Sequence, residues 1–167
     1  MLLLVLLVVY LGAGSYLYLK QRSFMYFPAP ALAHDYATEQ VASHGETIEL
    51  VIVNPGESQA LLYFGGNAEA VVANAAAFES TFPDHTIYLV NYRGYGGSSG
   101  MPSEQGLYQD AQIIHDELAQ RHENISVIGR SIGSGVATHL AANRPVEKLL
   151  LITPFDSILN IARGRYP

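Results

Sequence analysis

Between residues 126 and 142 the chain reads SVIGRSIGSGVATHLAA. A strand-length apolar run, Ser126 to Ile128, is followed almost at once by Ile132, Val136 and Leu140, which recur at the spacing of one helix face. The backbone must therefore turn from strand into helix within a single corner. A corner that sharp holds its serine, Ser131, in a strained conformation, and side chains two positions to either side would collide there. Gly129 and Gly133 stand at those two positions.

The remaining punctuation agrees with this corner. Apolar runs of strand length occur at Ile48 to Val53, Ala60 to Phe64, Thr86 to Val90 and Lys148 to Ile152. Helical patterns fill the gaps: an Ala/Val-rich stretch from Ala68 to Ser80, and a segment from Ser103 in which Leu107, Ala111, Ile114 and Leu118 keep helical spacing. Strands alternating with helices predict an α/β fold, a mostly parallel sheet covered on both faces.

The N-terminus has a different character. Leu2 to Leu19 carry no charge, which meets the lower length limit for a helix crossing about 30 Å of hydrocarbon. A cleaved leader is the competing reading, supported by the small-residue triplet Ala31, Leu32, Ala33. Against it, no basic segment precedes the apolar run, and Lys20 and Arg22 separate that run from the triplet. The expectation is a single-pass signal-anchor over residues 1–22, an aromatic and Pro-containing connector over 23–44, and a globular region over 45–167. Positive charge after the helix alone places that region on the cytoplasmic side.

Charge excludes one class of partner. Across 167 residues the formal net charge is -6, and no Lys/Arg cluster exceeds the KQR of residues 20–22, so no nucleic-acid partner is expected. The chain has no cysteine, which removes disulfides, thiolate metal sites and a cysteine nucleophile.

Gly96, Ser98 and Gly100 repeat the G-x-S-x-G spacing of residues 129–133, but this copy lies beyond a strand and runs into Met101 and Pro102, as a flexible turn does. Ser131 alone has the strand-to-helix context. A nucleophilic serine there needs two N–H donors for the oxyanion. One is the backbone N–H of Ile132 at the helix N-terminus; the other comes from a loop after an earlier strand, and Gly65, Gly66 and Asn67 form such a loop.

The segments YFGGNAE, NYRGYGGSSGMPSEQGLYQDA, IGRSIGSGVATHLA and LLLITPFDSI resemble, in order and spacing, α/β-hydrolases of the BEM46-like and ABHD13/ABHD17-like kind. The resemblance covers nearly everything after the connector, and an N-terminal membrane helix with an aromatic linker is similar to many members. It implies an esterase or thioesterase-like serine hydrolase without metal or organic cofactor, acting on an acyl-containing small molecule or lipid-like substrate. It also implies Ser131 as nucleophile, with the backbone amides of Asn67 and Ile132 as oxyanion donors. Gly65 stands where many members carry histidine, a departure that leaves the backbone donor in place.

A serine hydroxyl needs a base and an orienting acid, in this fold following it in the chain. His139 is the one histidine after Ser131, but eight positions along the same helix put it roughly 12 Å away. Glu147 precedes a strand, and Asp156 reads as a helix N-cap. His34, His44, His85, His115 and His122 read as surface or structural residues, and His115 beside Asp116 makes no metal site. Arg93 reads as a loop arginine holding nearby carbonyls, and Asp110 as a residue capping or pairing within its helix. The expectation is that acid and base lie beyond Pro167, the sheet being incomplete as it stands. The alternative is a short membrane-tethered binding protein that keeps the hydrolase scaffold without its chemistry.

Overall fold

A computed structural model describes residues 1–155 and 157. Asp156, the expected helix cap, lies outside them. Helix α1 (Leu2–Met25) leads the chain, and none of its residues is buried. Strands β1 (Ala37–Ser43), β2 (Glu46–Val53), β3 (Gln59–Phe64), β4 (Thr86–Val90), β5 (Asn124–Arg130) and β6 (Leu149–Ile152) form one six-stranded sheet in the order β1-β2-β4-β3-β5-β6. The pairs β1/β2 and β2/β4 are antiparallel, whereas β4/β3, β3/β5 and β5/β6 are parallel.

Side chains that alternate along each strand divide the core in two. Ala60, Leu62 and Phe64 of β3 face helices α3 (Glu104–Leu118) and α4 (Ile132–Asn143), where Leu107, Ile114, Leu118, Val136 and Leu140 close over them. Leu61 and Tyr63 face the opposite way, toward Val71, Ala75, Phe78 and Phe82 around helix α2 (Ala75–Thr81). The expected layering of helices on both faces is therefore present.

Three local expectations change. Residues 37–43, read from sequence as the end of an extended connector, are hydrogen-bonded to β2 as the outermost strand. Only Val41 and Ser43 of that strand are buried, so its composition carries little apolar signal. The helix expected over Ala68–Ser80 is broken: Ala68 has φ 58°, a short 3-10 turn covers Val71–Asn74, and α2 begins only at Ala75. Finally, β5 extends two residues beyond the expected Ser126–Ile128 at each end.

Arg93 and Asp110 also find each other rather than local partners. Arg93 Nε donates to Asp110 Oδ2 at 2.8 Å and an η nitrogen to Oδ1 at 2.6 Å, both side chains being largely buried. This bidentate pair fastens the loop after β4 to α3.

Candidate active site

Strand order decides where the site forms. Because β4 is inserted between β2 and β3, the chain leaves β3, returns through β4, and crosses over α3 to place β5 on the other side of β3. The C-terminal ends of β3 and β5 thus lie side by side, with Phe64 paired to Gly129. Ligands of open α/β sheets bind at such a reversal of strand order.

At the end of β5, Ser131 has φ 51° and ψ −116°, outside the regions open to most L-residues at low cost. Its N–H donates to the carbonyl of Ile152 at the end of β6, 2.9 Å away. Its carbonyl accepts from Ser134 N at 2.9 Å and from the Ser134 hydroxyl. The Ser131 side chain does not cap α4, so the hydroxyl stands at the helix N-terminus uncommitted to it. The two glycines are required by contact: a Cβ on Gly133 would fall on the carbonyl oxygen of Phe64, and one on Gly129 would lie 2.6 Å from Cβ of Ala137.

The loop Gly65–Asn67 abuts this corner. A Cβ placed on Gly66 would lie 3.8 Å from Cβ of Ser131, which is van der Waals distance. The peptide joining Gly65 to Gly66 is held at both its carbonyl and its N–H. Tyr92 Oη donates to Gly65 O at 2.8 Å, and Gly66 N donates to Glu69 Oε2 at 2.6 Å. The Asn67 side chain is hydrogen-bonded to Met25, Phe27 and Tyr95. The backbone N–H of Asn67 has no hydrogen-bond partner among the described residues. That of Ile132 opens α4, where the first N–H groups have no partner within the helix.

Glu69 is the residue that sequence reasoning missed. Besides Gly66 N it accepts from Tyr63 Oη at 2.6 Å and Asn74 Nδ2 at 2.7 Å, and Arg130 lies 3.4 Å away. One carboxylate therefore ties the loop to β3, to the 3-10 turn and to the residue before Ser131. Burial, then the bond to Glu69, pushes the Tyr63 phenol far above its ordinary value, and burial does the same at Tyr92. Both hydroxyls stay protonated as donors at neutral pH. The spacing of Glu69 from Gly66 is a turn-like signal, but nothing in the sequence marks Tyr63 and Arg130 as its neighbours.

No histidine among the described residues is hydrogen-bonded to Ser131. His139 lies flat against Tyr108, ring centroids 4.0 Å apart, with Nε2 3.3 Å from Gln112. His115 is buried with Nε2 2.8 Å from Pro145 O, and His122 bridges Tyr88 Oη and Glu57 O. His34 and His85 pack beside Tyr36 and Phe82, and His44 sits in the exposed turn between β1 and β2. Glu147 is exposed before β6 and faces Lys148. Ser98, in the second G-x-S-x-G match, is a loop pin that accepts from Glu49 N and donates to Asn91 O. Among the described residues no group of side chains could hold a metal ion.

A cleft of about 910 Å³ adjoins the corner, between the end of α1 and helices α3 and α4. It reaches the site through Ile132 rather than Ser131, and Arg22, Met25, Tyr108, Val136 and His139 line it. Burial and the bond to Glu104 push the Tyr108 phenol up to about 12.

No family model matches the chain. Among curated proteins, an uncharacterized protein of Mycobacterium tuberculosis (strain CDC 1551 / Oshkosh) is 30% identical over 93% of this chain and 61% of its own length. Protein bem46 of Schizosaccharomyces pombe is 33% identical over 68% of this chain and 41% of its length. The α/β-hydrolase domain-containing protein 17C of Xenopus laevis is 33% identical over 65% of this chain and 37% of its length. Among solved structures, the epoxide hydrolase VrEH1 from Vigna radiata superposes with TM-score 0.63 at 18% identity, over 78% of this chain and 46% of that one. A laboratory-evolved variant of potato epoxide hydrolase gives 0.65 at 20%, over 80% and 46%. The chain has the α/β-hydrolase fold and is similar in sequence to proteins named for it. It spans about three fifths, or less, of the length of the curated relatives it matches. The solved structures establish the shared fold, and in this chain the corner at Ser131 occupies the end of β5, beside the β3 loop.

Proposed function

We propose that this chain carries the nucleophile and oxyanion parts of a membrane-anchored serine hydrolase acting on ester or thioester bonds. One observation carries the reading: a strained serine at the β5–α4 corner, directly against a glycine loop that leaves a backbone N–H unpaired. Ser131 Oγ attacks the acyl carbonyl while a base takes its proton. The carbonyl oxygen becomes an oxyanion between the N–H groups of Asn67 and Ile132, reinforced by the N-terminal end of the α4 dipole. The alcohol or thiol leaves with a proton, and water then releases the acid from the serine ester. Base and acid are supplied by groups other than the described histidines and carboxylates.

Helix α1 supports the anchoring part. It has 24 residues, a mean hydropathy of 2.2 over its most apolar window and no buried surface in that window. Lys20 and Arg22 at its last turns favour a cytoplasmic catalytic region. The cleft beside Ile132 begins where α1 ends, so an acyl group held in the membrane surface reaches the corner over a short path. The second reading, a tethered binding module, draws on the fact that no described histidine is hydrogen-bonded to Ser131.

Fluorophosphonate labelling of the native, membrane-inserted gene product separates the two. We expect covalent labelling that Ser131→Ala abolishes and Ser98→Ala leaves intact. Labelling that persists in Ser131→Ala removes the nucleophile assignment, and a native protein that never labels favours the binding module.

A further inference from the structure

The chain leaving α1 does not simply lead to the domain; it lies across the loops of the site. Tyr26 and Ala29 are buried, at 7% and 8% exposure, and Pro30 forms a parallel bridge with Gly96. Gly96 N donates to Ala29 O at 2.9 Å. The contact that matters most is with Asn67. Its Nδ2 donates to Met25 O at 2.7 Å, and its Oδ1 accepts from Phe27 N at 3.0 Å. The amide thus grips the carbonyl and the N–H on either side of Tyr26, as a neighbouring strand's peptide would. Tyr95 Oη donates to the same Oδ1 at 2.8 Å, so both lone pairs of that oxygen are used.

From these contacts we infer that residues 25–30 are a strap that positions the oxyanion donor, making the membrane-proximal segment part of the catalytic apparatus. The inference rests on the role proposed above for the Asn67 backbone N–H. That N–H belongs to the peptide joining Gly66 to Asn67. On the Gly66 side the loop is held by Glu69 and Tyr92. On the other side the next residue, Ala68, is exposed and turns away at φ 58°. Hydrogen bonds reach that side through the Asn67 side chain alone until Glu69. Gly66, without a Cβ, offers little steric resistance to rotation of the peptide. Without the strap, water replaces its two hydrogen bonds at small energetic cost, but the direction of the N–H is lost. Asn67 is thereby a positioning residue through its side chain, distinct from its backbone role.

Two cut sites in the full-length, membrane-inserted protein test this. A protease site placed between Lys20 and Ser23 frees the domain with the strap attached. One placed within the exposed Ala31–Ala33 frees it without residues 25–30. We expect the first cut to leave kcat for an activated ester, and the fluorophosphonate labelling rate, within about twofold of the uncut protein. The second should lower both by about tenfold to a hundredfold with KM unchanged, the cost of a donor displaced by about 1 Å. Asn67→Asp, which keeps the size and the acceptor but loses the donor to Met25 O, should lower kcat in the same way in the uncut protein. Equal rates for the two cut forms overturn the inference. If the uncut protein neither turns over ester nor labels, the hydrolase reading has failed, and amide hydrogen exchange then decides the strap by itself. Faster exchange at Asn67 after the second cut only sustains it; identical exchange in both forms overturns it.

Discussion

At the scale of single residues, the site is organised by acceptors that face donors. Glu69 receives an N–H from Gly66, a hydroxyl from Tyr63 and an amide from Asn74. Glu69→Gln therefore keeps the shape but turns one oxygen into an NH₂ group that meets a donor. We expect a loss of about 2 kcal/mol in urea unfolding, the cost of leaving a partly buried polar group unpaired. Labelling at Ser131 should slow as well, because the Gly66 peptide loses its tether. Equal stability of Glu69→Gln and wild type would show that the carboxylate is not the organiser. Ser131 was legible in the sequence because glycine on both flanks of a strand-to-helix corner is a steric demand written in residue types. Glu69 and the Asn67 side chain were not legible. Their partners Tyr63, Arg130, Met25 and Tyr95 come from other segments, and hydrogen bonding across a fold leaves no local spacing to read.

Between elements, packing of apolar stripes was readable and polar fastening was not. The periodicity of Leu107, Ala111, Ile114 and Leu118 located α3, and all four are buried. Strand β1 escaped because an edge strand with one wet face needs few apolar residues, and the helix expected from Ala68 was delayed by the positive φ of that residue. Helices α3 and α4 are further joined by Arg144, which donates to both oxygens of Asp116, at 2.6 and 2.8 Å. The Arg144 guanidinium holds the Asp116 carboxyl below its ordinary value. A depressed carboxyl contributes stability above its unfolded pKa of about 3.9 and loses it as pH falls through the lower folded value. Asp116 is half exposed, so the contribution is small. Asp116→Asn should therefore lower the melting temperature slightly at neutral pH and converge with wild type as pH falls through the lowered folded value, as seen by calorimetry at both ends. A difference that persists at low pH would assign the effect to packing instead of charge.

For the molecule as a whole, the sheet presents two unlike margins. On one side β1 is polar and pairs Glu39 with Arg121 of the segment after α3. On the other, β6 leaves Leu149, Leu150 and Ile152 at 38%, 51% and 39% exposure. Among the described residues no strand pairs with the outer edge of β6, and an apolar strand so placed is a template for association. The 167-residue chain in detergent should accordingly form concentration-dependent oligomers, and Leu150→Lys should return it toward the monomer in analytical ultracentrifugation. Unchanged oligomers in that variant would place the association elsewhere, α1 being the next candidate. The alternation of strands and helices made this architecture readable, whereas the order β1-β2-β4-β3-β5-β6 was not legible, since no local pattern states which strands are neighbours. That order has a kinetic consequence. The Phe64–Gly129 pairing that brings the two site loops together joins segments separated in the chain by β4 and α3. Such non-local pairing is slow relative to local helix formation. Reactivity at Ser131 should thus lag behind the recovery of helical signal during refolding, making this serine a clock for the last stages of assembly.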